Sequence, residues 1–122
     1  MQVNEISNST DIEWDESRDA VAAAPEHHRV IFENEYVRVL DSRIKPGETV
    51  PLHTHRWPSI VYTLENSDFV RTDAESGRVL DSRSMSIEIE IDSAISLPPV
   101  GPHSVKNVGS KEIRAISVEI KA

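Results

Sequence analysis

Two of the chain's five histidines, His53 and His55, stand one residue apart in the stretch G-E-T-V-P-L-H-T-H-R-W-P-S, which runs from Gly47 to Ser59. In a strand, side chains at i and i+2 point to the same face, with Cα atoms about 7 Å apart. The pair therefore shares a face, and Thr54 points away. Two imidazoles so placed can converge on one ion, each with a nitrogen about 2.1 Å from it. Alone, H-x-H is also the pattern of an ordinary solvated strand. The surroundings add to it: Pro51 and Pro58 bracket the pair, Gly47 lies six residues before His53, and His103 sits in a second Pro/Gly-rich stretch, PPVGPHSVKN.

The segments that must position these residues read as strands. "RVIFENEYVRVLDSRIKPGE" holds two apolar runs separated by Glu33-Asn34-Glu35 and ends at the turn Lys45-Pro46-Gly47-Glu48. "SIVYTLEN" is a β-branched run ending at Asn66, a residue that tolerates left-handed backbone. "DFVRTDAESGRVL" reads as a hairpin around Glu75-Ser76-Gly77. "SMSIEIEID" alternates Ile87, Ile89 and Ile91 with acids, the mark of a half-buried strand. "ISLPPVGPHSV" carries too many prolines for a helix. "KEIRAISVEIKA" alternates Ile116, Val118 and Ile120 with Ser117, Glu119 and Lys121. Strands at intervals of about 8–12 residues, with turn signals between them and no long amphipathic helix, predict an all-β sandwich or barrel.

A chain of 122 residues is expected to form one domain. Its formal charge of −8 argues against nucleic acid or an anionic membrane surface as partner. Residues 1–26 hold −6 of that charge, with seven acids against Arg18. This segment reads as a partly disordered acidic arm, the rival reading being that Ile12 and Trp14 dock on the body or on a second subunit. Without cysteine, disulfides, thiolate ligands and cysteine nucleophiles are excluded. No basic segment leads into an apolar run at the N-terminus, and no apolar run approaches the roughly 18 residues of a membrane span. A cytoplasmic protein is expected.

The histidine-bearing stretches resemble the two motifs of the cupin superfamily. The first is a glycine, five residues, H-x-H, three or four residues, a glutamate, six residues and a glycine. Gly47, His53 and His55 match it; Ser59 stands at the glutamate position and Asn66 at the closing glycine. The second motif, P-x-G-x-x-H-x-x-x-N, is matched by Pro98, His103 and Asn107, with its glycine displaced by one to Gly101. More narrowly, "VIFENEYVRVLDSRIKPGETVPLHTHRWPSIVYTL" resembles the small single-domain cupins labelled β-alanine degradation proteins. The resemblance implies a double-stranded β-helix, a jelly-roll barrel, over residues 29–122 behind an N-terminal extension of residues 1–28. It also implies one divalent metal held by His53, His55 and His103, with the usual glutamate replaced by Ser59, and a homodimer.

Three neutral imidazoles leave a bound M²⁺ at +2, where a set that includes a glutamate leaves +1. Such a site is expected to draw in an anionic or ionisable small molecule and to acidify bound water. Imidazole suits iron, nickel, copper and zinc alike, so iron, nickel, manganese and zinc are not distinguished. A metal-dependent oxygenase acting on a small chelating substrate is one reading, and a non-catalytic ligand-binding or sensing module is the other. No catalytic residue is singled out.

His27 and His28, at the edge of the arm, are expected to be solvated. Arg38, Arg71 and Arg83 fall in predicted strands and are expected to be solvent-facing or paired with acids, with a substrate carboxylate as the minority alternative. If Ser59 points inward, Val61 and Thr63 line the barrel, and Ile60, Tyr62 and Leu64 form an outward apolar row that needs cover, which favours a dimer. Trp57 either caps the pocket mouth or packs on the surface.

Overall fold

Branched side chains restrict χ1 and favour extended backbone, and strands dominate the structure accordingly. The computed structural model describes residues 14–85, 87 and 89–121. The strands are β1 (His28–Glu33), β2 (Val37–Ile44), β3 (Thr49–His55), β4 (Ser59–Glu65), β5 (Phe69–Asp73), β6 (Val79–Asp81), β7 (Ser93–Leu97), β8 (Val100–Asn107) and β9 (Ile113–Ile120). A 3-10 turn (Glu16–Arg18) and one helical turn, α1 (Ala20–Ala23), precede them.

The strands form two sheets, of order β1-β2-β9-β4-β7 and β3-β8-β5-β6. Antiparallel pairs nest from the outside inward: β2 with β9, β3 with β8, β4 with β7. The β5–β6 hairpin occupies the inner end. A long hairpin wound between two sheets in this way is a double-stranded β-helix, as the sequence motifs imply. Two glycines make the turns. Gly47 (φ 85°) ends the Lys45–Glu48 turn between β2 and β3, and Gly77 (φ 71°) closes the β5–β6 hairpin. Both lie in the left-handed region that glycine adopts at least cost.

One expected strand moves. Residues 87, 89 and 90 are not in a strand, and Ser86 and Glu88 lie outside the described residues. The ladder on β4 is taken instead by β7, starting after Asp92, whose φ of 56° turns the chain. Ile89 and Ile91 are exposed, so the alternation from Ile87 to Ile91 does not mark a half-buried strand.

Register assigns the faces. Ser59 pairs with Glu119, Val61 with Ser117 and Thr63 with Ala115, while Glu119 also pairs with Arg38 and Ser117 with Leu40. Ser59, Thr63, Arg38, Leu40 and Glu119 are buried, whereas Ile60 and Tyr62 are exposed on the opposite face. The interior is unusually polar. Among the described residues the buried apolar ones are Ala20, Ala24, Leu40 and Val50, against eleven buried polar or charged ones. Buried polar groups must find partners or forfeit free energy; here Arg38 and Glu119 find each other, and buried histidines and Asn107 find main-chain carbonyls.

Residues 14–27 do not trail from the barrel. Asp19 bridges to Thr54 of β3, and the Thr54 hydroxyl donates to the carbonyl of Arg18 at 3.3 Å. Over this part the reading of a loose arm gives way to a docked one. Trp14 is half-buried, and Ile12 lies outside the described residues.

Asn107, the asparagine of the second motif, is fully buried. Its amide donates to the carbonyls of Ile44 (2.9 Å) and Lys111 (2.7 Å), and its oxygen accepts from the Gly109 N–H (2.9 Å). It therefore latches the end of β2 to the turn after β8. Asn107→Ala is expected to lower the unfolding free energy by about 1–3 kcal/mol, because buried carbonyls lose their donor. Urea unfolding measures this, and a loss below about 0.5 kcal/mol would contradict the latch.

Candidate metal centre

β3 and β8 pair with His53 opposite His103. His53 and His55 share a face, as their spacing requires, with ring centroids 4.9 Å apart and planes at 88°. Thr54 points the other way, under the arm. The ring of His103 lies 4.4 Å from that of His53 and 5.6 Å from that of His55. The rings of the three histidines singled out in the sequence are thus neighbours, but the group whose candidate ligand atoms lie within 4.8 Å of one another is His28, His53 and His55, without His103.

A fourth joins them. His28, expected to be solvated, opens β1 and is 7% exposed; its ring lies 4.8 Å from His53 and 5.5 Å from His55. The expectation fails because β1 begins at His28 itself, which pairs with Ser42 of β2 and is buried there. His27 is buried too, but its Nδ1 lies 3.0 Å from the Arg43 carbonyl. No spacing rule points to His28, which stands two residues before Val30, the first residue of the first apolar run.

Hydrogen bonds fix the ring orientations. Nδ1 of His28 lies 3.0 Å from the Ala24 carbonyl, Nδ1 of His53 lies 2.7 Å from the Pro51 carbonyl, and Nδ1 of His103 lies 2.8 Å from the Gly101 carbonyl. A carbonyl can only accept, so each Nδ1 carries the proton and each Nε2 presents a lone pair. His55 Nδ1 lies 3.4 Å from the Glu119 carboxylate. Backbone carbonyls and carboxylates are the groups that orient metal-binding imidazoles. The candidate ligand atoms of His28, His53 and His55 all lie within 4.8 Å of one another. Nitrogens bound about 2.1 Å from one ion in tetrahedral geometry stand about 3.4 Å apart, so loading the site asks the rings to close by up to about 1.4 Å. The donor set fits a divalent transition metal.

Electrostatics agree. Burial, above all, pushes His28 and His103 down to about 4 and His53 to about 2, with nearby positive charge adding to it. These imidazoles are neutral at pH 7, as ligands must be.

The arginines are accounted for. Arg38 is buried and bound to Asp19 and Glu119. Arg71 pairs with Asp73 at 2.8 Å. Arg83 lies in the turn after β6, not in a strand, and pairs with Asp81 at 2.8 Å. The Trp57 ring packs with Arg38, Arg56 and Lys121, whose charged ends lie 4.4–5.5 Å from its centroid.

Solved structures share this architecture. A cupin domain from Bordetella pertussis Tohama I superposes with a TM-score of 0.63 at 22% identity, over 78% of this chain and 92% of that one. The fold is that of cupin domains. An RmlC-like cupin from Methanocaldococcus jannaschii gives a TM-score of 0.56 at 13% identity, covering 76% and 77%. The polyketide cyclase RemF from Streptomyces resistomycificus gives 0.55 at 19% identity, covering 98% and 80%. No protein-family model and no curated protein matches the chain. Among the described residues, no helix of this cupin fold is long and apolar enough to cross a membrane.

Depressed histidine pKa values have a sign. Folded values of about 4, 2 and 4, against 6.5 for free imidazole, mean that the unfolded chain binds more protons below about pH 6.5. The metal-free protein should therefore lose stability as pH falls from about 6.5 toward 4, with little change above about 7.5. Thermal unfolding in excess chelator across that range checks this. A melting temperature that does not move would contradict neutral buried imidazoles.

Proposed function

We propose that this chain is a small cytoplasmic cupin that binds one divalent metal ion through its histidine cluster and acts on a small anionic or chelating molecule. His28, His53 and His55 offer ligand atoms within reach of a common point, and His103 of the second motif completes a four-histidine set. The observation that carries this reading is the uniform orientation of the rings, with Nδ1–H groups given to carbonyls and Nε2 lone pairs left free. A divalent ion there supplies Lewis acidity toward a chelating anion and, if redox-active, an electron source for dioxygen. The chain's own contribution is a neutral, oriented donor set inside a sheet that limits water. A polyketide cyclase among the structures sharing this fold is an instance of such a barrel in an enzyme. The closer likeness to the cupins labelled β-alanine degradation proteins rests on residues 30–64 of the sequence.

The proposal extends to a homodimer. Phe32, Val39, Val118 and Ile60 lie in register across four strands on the outer face, and Phe32 and Ile60 are 54% and 43% exposed. A second copy is the occupant that the apolar row and the family resemblance favour.

Protein purified without a histidine tag should contain about one equivalent of iron, nickel, manganese or zinc by elemental analysis. His53→Ala should lose it, together with the melting-temperature drop that chelator causes in the parent. Absence of metal, with no effect of chelator, would contradict the site. If metal is present, oxygen consumption across a panel of small acids and diketones separates an oxygenase from a binding module. Light scattering should give twice the 13.7 kDa chain mass, and Ile60→Glu should reduce it to the single-chain value. A parent protein that is monomeric at micromolar concentration would contradict the dimer.

A further inference from the structure

Ser59 stands where the first motif would place a glutamate, but the residue opposite it on β9 is Glu119, which is 1% exposed. The two oxygens of Glu119 are divided between partners. Oε1 accepts from Arg38 Nε at 2.6 Å, and Oε2 lies 3.4 Å from His55 Nδ1. Arg38 donates its two Nη groups to the two oxygens of Asp19 at 3.0 and 2.9 Å. A continuous chain, Asp19–Arg38–Glu119–His55, therefore runs from the docked arm to the histidine cluster. The Trp57 ring lies 5.0 Å from the Arg38 guanidinium carbon.

All three charged groups are ionised. Burial disfavours the Glu119 carboxylate, but hydrogen bonds from His55 and Arg38, with the charge of Arg38, outweigh it and hold the group below its usual range. Burial likewise opposes the charge on Arg38, and its two carboxylate partners more than restore it. Two carboxylates against one guanidinium leave a net charge of −1 beside the neutral imidazoles. A divalent ion on those imidazoles then sits in a centre of net charge +1. That equals the charge an inner glutamate would leave, and no coordination position is spent on it.

We propose that Glu119 is the positioning residue of the metal centre. From across the ladder from Ser59 it orients His55 through Nδ1 and supplies, outside the coordination sphere, the negative charge that Ser59 cannot. Arg38 and Asp19 hold it in place. Asp19 has a defined part: without its charge the Arg38–Glu119 pair is neutral, and His55 faces no net negative charge. Metal at Nε2 makes the Nδ1–H a stronger donor, so the His55–Glu119 contact strengthens when the site is loaded. This assignment rests on the metal-binding reading above.

The test is Zn²⁺ affinity of the full chain, by competition with a chromogenic chelator, together with the visible spectrum of the Co²⁺-loaded protein. Glu119→Gln should bind Zn²⁺ about 10–100-fold more weakly. Asp19→Asn, which touches no histidine, should weaken binding in the same direction by a smaller factor, and both should shift the Co²⁺ bands. Metal-free circular dichroism and melting confirm that the variants fold. If Glu119→Gln binds within about 2-fold of the parent, the positioning role is overturned while the metal site stands. If the parent binds neither ion, both readings fail. Should Glu119→Gln not fold, Asp19→Asn decides, and unchanged affinity and spectrum in that variant overturn the proposal.

Discussion

Carbonyl acceptors at Ala24, Pro51 and Gly101 are the constraint on which the centre depends. Each is a main-chain oxygen fixed by the backbone, and each can only accept, so each dictates the tautomer of the ring it meets. Two of them lie two residues before their histidine on the same strand, so β3 and β8 carry both the ligand and its orienting group. The third lies on the arm, just before β1. The folded chain thus holds imidazoles in one protonation state before any ion arrives, so binding asks the rings to close together but not to change tautomer.

The same constraint explains the polar interior. A barrel core is ordinarily apolar, yet Ser59, Thr63, Arg38, Glu119 and four histidines face inward here. Their free energy of burial is offset by mutual pairing: carboxylate with guanidinium, imidazole with carbonyl, amide with carbonyl at Asn107. Ile60 and Tyr62 of β4 stand on the outer face and remain exposed. Polar chemistry inside and an apolar row outside are two consequences of one inversion.

Much of this was legible in the sequence, for physical reasons. Gly47 and Gly77 marked real turns because the chain needs positive φ there, and the i, i+2 rule placed His53 and His55 on one face. With Ser59 taken as inward from its place in the first motif, the same period put Thr63 on that face. The misses share a cause. His28 has no spacing partner, since what brings it to the cluster is β1 pairing with β2, a tertiary event. Glu119 sits in an alternation that ordinarily reads apolar-in and polar-out, and the polar interior reverses it. The run from Ile87 to Ile91 alternates correctly but loses its place on β4 to β7, because Asp92 turns the chain first.

Anomalous diffraction from crystals of the Co²⁺- or Zn²⁺-loaded protein, recorded at the metal edge, tests the central claim most directly. One peak is expected among the rings of His28, His53, His55 and His103, with Nε2 atoms at about 2.0–2.1 Å and every Nδ1 still on its carbonyl or carboxylate. A peak elsewhere, or coordination through Nδ1 with those hydrogen bonds broken, would contradict the account.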